Sequence, residues 1–92
     1  SPILSTEPYR LGAEKARHLI AELRKQGHEV TVLNMGGGFG IHYRKQEAQP
    51  ARAFAEVILP AVAEARCQLV LEPGRFIVGN AGILVSRVVY TK

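Results

Sequence analysis

Four of the five residues from Gly36 to Gly40 are glycine, and they stand directly behind the apolar, β-branched run Val30 to Met35. A run of that kind reads as a buried strand. Glycines in that number cannot continue it, so the chain leaves the strand into a loop. Without Cβ atoms, such a loop lets the backbone come close to a ligand and aim N–H groups at phosphate oxygens. The plainer alternative is a tight turn with no ligand. No Gly-Lys-Ser/Thr follows, which excludes a Walker A loop, and Tyr43 stands where a dinucleotide fingerprint would need its third glycine.

The surrounding pattern alternates helix and strand. Residues 6 to 26 read as an amphipathic helix, with Thr6 as N-cap, Glu7 and Pro8 in the first turn, and Leu11, Ala16, Leu19, Ile20 and Leu23 on the apolar face. Gly27 stops it by accepting the left-handed conformation of a C-terminal cap. A second helix spans about Pro50 to Ala65, with Phe54, Val57, Ile58, Ala61 and Ala65 as its stripe; Pro60 predicts a kink or split near Leu59. Gln68 to Leu71 is a second short strand. Residues 76 to 82 read as irregular, and Ile83 to Tyr90 as a third strand. Strands alternating with helices predict a parallel sheet with helical crossovers, whose ligands bind at the C-terminal ends of the strands.

A second motif, Glu72-Pro73-Gly74-Arg75, follows the second strand. It sets a carboxylate and a guanidinium three residues apart. Arg75 can grip phosphate or carboxylate through its planar fork, and Glu72 can hold a protonated ring nitrogen. A surface turn with a local ion pair is the alternative. Two strand ends, one offering glycine amides and the other Glu-Pro-Gly-Arg, together describe a phosphate pocket with a charged floor. Barrel enzymes often build such sites behind their seventh and eighth strands.

Composition narrows the remaining choices. At 92 residues, 47% hydrophobic and 22% charged, the chain reads as one small globular domain. The net charge of +4 is spread along the chain and mixed with Glu, which favours a solvated surface over a nucleic-acid patch. No apolar run approaches a membrane span, and the N-terminus lacks a signal-peptide pattern. Cys67, alone in the chain, reads as a small core residue and fits a reducing cytoplasm. His18 and His28 have no metal-ligand spacing and read as surface or structural residues, so no metal is expected. His42 is near enough to the glycine loop to be considered for its pocket.

Leu33-Asn34-Met35-Gly36-Gly37-Gly38-Phe39-Gly40-Ile41, followed by Tyr43-Arg44, resembles the glycine loop of the diaminopimelate decarboxylases. Leu71-Glu72-Pro73-Gly74-Arg75-Phe76, with Val78 and Ala81-Gly82, resembles that family's second signature at a similar spacing. Ornithine and arginine decarboxylases of the same fold share the outline, and the Gly40-Ile41-x-Tyr43-Arg44 continuation favours the former. His42 stands where the family usually has proline.

The resemblance implies an α/β fold. It would be a partial (β/α)8 TIM-type barrel, about strands seven and eight with flanking helices, leading into a β-domain. Residues 1–82 would be the C-terminal portion of the pyridoxal-phosphate-binding barrel and residues 83–92 the start of the β-domain. Gly36, Gly37 and Gly38 would cradle the phosphate of pyridoxal 5'-phosphate, Glu72 would pair with its pyridine nitrogen, and Gly74 and Arg75 would complete the phosphate site. Arg75 would also meet a substrate carboxylate, and Ser1 would touch the phosphate. The family's cofactor-bearing lysine has no counterpart here: Lys15, Lys25, Lys45 and Lys92 match none of its motifs. The implied parent is a cytoplasmic homodimer that decarboxylates meso-diaminopimelate, an amino-acid substrate, to L-lysine; the 92-residue chain alone is expected to be inactive. The alternatives are an ornithine, arginine or polyamine-precursor decarboxylase, a non-catalytic regulatory homologue, or an unrelated phosphate-binding module.

Overall fold

The computed structural model describes residues 3–92, so the phosphate contact expected of Ser1 lies outside the described residues. Helix α1 spans Glu7–Lys25. Thr6 holds the N-cap position but makes no side-chain cap; the Ser5 hydroxyl accepts the Glu7 N–H instead, at 3.2 Å. The helix buries Tyr9, Ala13 and Ile20. Leu11 and Leu19, expected on the inner face, are 46% and 60% exposed. The reason is angular: two residues along a helix turn it by roughly 200°, so Leu11 points away from the side that Tyr9 and Ala13 share.

Strand β1, Val32–Asn34, pairs in parallel with strand β2, Gln68–Val70, in the register Val32↔Gln68, Leu33↔Leu69 and Asn34↔Val70. Helix α2, Ala51–Ala65, lies in the crossover between them and packs against α1. It runs unbroken through Pro60, so of the kink or split expected near Leu59 the split does not occur. Proline deprives the Glu56 carbonyl of its helical donor. Glu56 and Pro60 are both exposed, so water can serve that carbonyl. The core joins Tyr9, Phe39, Phe54, Ile58 and Val62, with Leu33, Met35 and Leu69 packed against it from the strands and their extension. Among the described residues no helix is long and apolar enough to cross a membrane.

The C-terminal region departs from expectation twice. Residues 74–78 form a short helix, α3 (Gly74–Val78), where irregular chain was expected in part. The strand expected over Ile83–Tyr90 is absent: residues 79–92 are all exposed, with Ile83 at 90% and Leu84 at 95%. A strand exists only where its N–H and C=O groups meet another strand, and no described segment pairs with this one.

Arg24, assigned no role from sequence, ties the far ends of these elements together. Its guanidinium donates to the carbonyls of Val30, Ala65 and Arg66, at the entry to β1 and the end of α2. Both long helices end in the same reversal. The His28 and Gly27 N–H groups bond back to Leu23 and Arg24, and those of Cys67 and Arg66 to Val62 and Ala63. The pivot is Gly27 at φ +90° in one case and Arg66 at φ 51° in the other. A side chain at positive φ costs about 1 kcal/mol, so Arg66→Gly is expected to stabilise the protein by up to about 1 kcal/mol. Arg24→Met, which keeps the stem and removes the donors, should destabilise by roughly 2 kcal/mol. Urea midpoints of the two variants check both signs.

Candidate functional site

Because β1 and β2 are parallel, both glycine-bearing loops leave from one edge of the sheet. The pairing continues past the strands, with Met35 N–H on the Val70 carbonyl at 3.0 Å and Glu72 N–H on the Gly36 carbonyl at 2.8 Å. Gly36 and Gly38 then turn the chain at φ +69° and +86°. Between them Gly37 lies so close that an added Cβ would stand 2.1 Å from the Glu72 carbonyl oxygen. The two motifs therefore touch through their backbones.

The loop is pinned at its far end by Phe39, which is buried, stacked on Tyr9 at 4.7 Å and set edge-on to Phe54 at 5.0 Å. Each carbonyl of the triple glycine is bound. Gly36 accepts from Glu72 N–H, Gly37 from the Tyr9 hydroxyl at 2.8 Å, and Gly38 from Ile3 N–H at 2.7 Å. The N–H groups of Gly37, Gly38 and Phe39 donate to no acceptor among the described residues. The Gly36 N–H does not share that freedom, because the Asn34 side-chain oxygen takes it at 2.8 Å.

Asn34 reaches the second motif as well: its Nδ2 donates to Glu72 Oε1 at 2.7 Å. The pairing is orientationally unambiguous, since the amide presents its NH2 to a carboxylate and its oxygen to an N–H. Glu72 is exposed and makes no ion pair among the described residues. Arg75 is also exposed and does not pair with Glu72; its Nη1 donates to the Tyr43 hydroxyl at 3.1 Å. The local ion pair considered from sequence is therefore not formed. Gly74, at φ +21°, has nothing within 4 Å of a Cβ, and its N–H and that of Arg75 are free of partners among the described residues.

Other sequence candidates fall elsewhere. His42 accepts the Ala48 N–H on Nδ1 at 3.3 Å, clipping its own loop, and lines a cleft of about 170 Å³ with Gly40, Pro50 and Asn80, a lining that does not include Gly36–Gly38 or Glu72. Cys67 is half-buried with Sγ 3.6 Å from the Ala65 carbonyl, at the reversal that ends α2. His18 and His28 are exposed, and the described residues hold no group of three side chains suited to a metal. An apolar cavity of about 340 Å³ is lined by Phe54, Ile58, Leu69, Leu71 and Phe76 among others; its lining holds no titratable side chain, and it is not the chemical site. Tyr9 and Asn34 are the site residues that sequence reading assigned no role. Asn34 lay inside the quoted motif, and its place at the last position of β1 was the available signal.

Residues 1–79 match the family model described as pyridoxal-dependent decarboxylase, pyridoxal binding domain. Over its full length the chain is 38% identical to a diaminopimelate decarboxylase of Aquifex aeolicus, and 34% identical to diaminopimelate decarboxylases of Zymomonas mobilis and Neisseria meningitidis. It spans only 22% to 23% of the length of these relatives. No solved structure gives a match.

The glycines differ in what they tolerate. Gly36→Ala meets open space and only the penalty of positive φ, about 1 kcal/mol. Gly37→Ala drives a Cβ into backbone and is expected to cost about 3 kcal/mol, the upper range for overpacking. Chemical unfolding of the two variants should show that order, and equal losses would contradict the contact between Gly37 and Glu72.

Proposed function

The chain belongs to the family of pyridoxal-dependent decarboxylases, and we propose that it supplies the phosphate and ring-nitrogen contacts of a decarboxylase acting on meso-diaminopimelate to give L-lysine and carbon dioxide. The observation that carries the reading is the shared sheet edge: Glu72 N–H bonds to the Gly36 carbonyl at 2.8 Å, so the glycine loop and the Glu-Pro-Gly-Arg turn form one surface. The residues present fit a phosphate-bearing group. Gly37 and Gly38 offer unbound N–H groups, Gly74 and Arg75 offer two more across the gap, and no Cβ obstructs Gly36 or Gly74. In this reading Gly36 supplies the turn rather than a donor. Ser1 is assigned a further phosphate contact by resemblance alone.

Pyridoxal phosphate, when bound, supplies an electron sink for the electron pair left as carbon dioxide departs. Glu72 holds a proton on the ring nitrogen, which strengthens that sink. Asn34 holds Glu72 by one oxygen and leaves the other for the ring. Arg75, whose charge no carboxylate among the described residues neutralises, meets the phosphate or a substrate carboxylate. The phosphate contacts fix the register of the ring, a positioning role.

Residues 1–82 are read as the C-terminal portion of a (β/α)8 barrel: its sixth helix, seventh strand, seventh helix and eighth strand. Residues 83–92 are read as the lead into a β-domain. The parallel pair with a helical crossover supports the barrel assignment. The lysine that carries the cofactor is assigned to another part of the whole protein, which we read as a cytoplasmic homodimer.

In the full-length protein, Glu72→Gln keeps an oxygen for Asn34 and removes the charge. A charge-assisted hydrogen bond is roughly twice as strong as a neutral one. Cofactor retention is therefore expected to hold while carbon dioxide release falls about tenfold, a loss of about 1.4 kcal/mol in the barrier. Absorbance of bound cofactor and kcat check the two halves; unchanged turnover would remove Glu72 from its assigned role.

A further inference from the structure

Three carbonyls in a row are bound at the triple glycine, and the three clamps are not equivalent. Those on Gly36 and Gly38 come from backbone N–H groups, of Glu72 and Ile3, which every residue but proline supplies at those positions. The clamp on Gly37 is the Tyr9 hydroxyl, 28 residues away in sequence. It depends on residue type, since phenylalanine would fill the same space without it.

The chain contains no cis peptide among the described residues, so each carbonyl points opposite to the N–H of the next residue. Holding the Gly37 oxygen toward α1 therefore directs the Gly38 N–H away from α1. The peptide involved joins two glycines, where rotation of the peptide plane meets the least steric resistance in the loop. Without the hydroxyl, little else would hold that plane. The donor is well anchored: the Tyr9 ring is buried, stacked on Phe39 with 4° between planes and edge-on to Phe54 at 5.1 Å. Burial also pushes the Tyr9 hydroxyl above its ordinary pKa of 10.0, so it stays protonated and donating at neutral pH.

We propose that Tyr9 is a positioning residue for the cofactor phosphate, acting through the Gly37 carbonyl to orient the Gly38 N–H as a phosphate donor. The proposal rests on the reading of the glycine loop as the phosphate cradle.

The test compares pyridoxal phosphate with pyridoxal, which lacks the phosphate, on the full-length protein. Dissociation constants of both are measured for the wild type and for Tyr9→Phe, which keeps the ring and its stacking. Losing one ordered hydrogen bond of about 1 kcal/mol corresponds to a loss of about fivefold. Tyr9→Phe is expected to weaken pyridoxal phosphate by about that factor, to leave pyridoxal within about twofold, and to shift the 31P resonance of the bound phosphate. Phe54→Leu is the companion variant. It disturbs the same aromatic cluster and keeps the hydroxyl, so the ratio of the two constants should stay at its wild-type value. Equal loss of both ligands in Tyr9→Phe, no loss of either, or an equal change of ratio in Phe54→Leu would overturn the role of the hydroxyl while leaving the phosphate cradle intact. Equal wild-type affinity for the two ligands would overturn the cradle, and the proposal with it.

Discussion

The parallel pairing of β1 with β2 is the constraint on which the rest of the structure hangs. Parallel neighbours cannot be joined by a tight turn, so the chain must travel back along the sheet, and α2 occupies that return. The same geometry sends both strands out at one edge, which brings residues 36 and 72 into hydrogen-bond contact although the crossover separates them. Three residue pairs are too few to hold a two-stranded sheet in water. Burial of Tyr9, Phe39, Phe54 and Ile58 beneath the strands supplies what the ladder lacks. Phe39 belongs to both halves of this arrangement: it closes the glycine loop and is a central member of the core.

At the loop, backbone polarity is sorted. Carbonyls face protein donors, and the N–H groups of Gly37, Gly38 and Phe39 are left over. This is a physical requirement for a backbone anion site, because a carbonyl turned toward an anion would repel it. Asn34 extends the sorting across the gap. One amide holds the Gly36 N–H and the Glu72 carboxylate, so a displacement of either motif is felt by the other. The carboxylate and guanidinium of the second motif are satisfied by neutral partners, Asn34 and Tyr43. Their charges are therefore not cancelled locally, unlike those of Arg10 with Glu7 or Arg17 with Glu14 and Glu64.

Much of this was legible in the sequence where the cause was local. Glycine density marks the loop, short apolar runs mark the strands, and Gly27 marks a helix end; each effect acts within a few residues, whereas the burial expected of both strands does not follow, since neither holds a buried residue. The inner stripe of α2 was legible too, because Phe54, Ile58, Ala61 and Ala65 recur at helical spacing with few competitors. On α1 the apolar residues are spread around the helix, and Leu11 and Leu19 competed with Tyr9 and Ala13 for the inner face. Aromatic stacking on Phe39 decided the rotation, and that contact spans 30 residues. Arg24 and Tyr9 were invisible for the same reason. Their partners are backbone carbonyls, which every residue has, so sequence carries no mark of the pairing.

The segment from Ile83 to Tyr90 shows where local reading must stop. Its valines, leucine and tyrosine suit a pleated, half-buried surface, and strand propensity measures little else. What it cannot supply is the other half of each hydrogen bond. Among the described residues that half is missing, and Leu84, Val85, Val88 and Val89 stand exposed outside any helix or strand. Leu59 and Ile77 are exposed as well, beside an apolar cavity of about 340 Å³. Apolar side chains gain roughly 25 cal/mol for each Å² they remove from water, so surfaces of this kind favour a covering element. In a chain that spans about 22% of its relatives' length, the barrel reading places that element in the remaining part of the protein. On that reading β1 and β2 would be inner members of a closed sheet, and the exposed apolar side chains of residues 83–90 would have a surface to cover them.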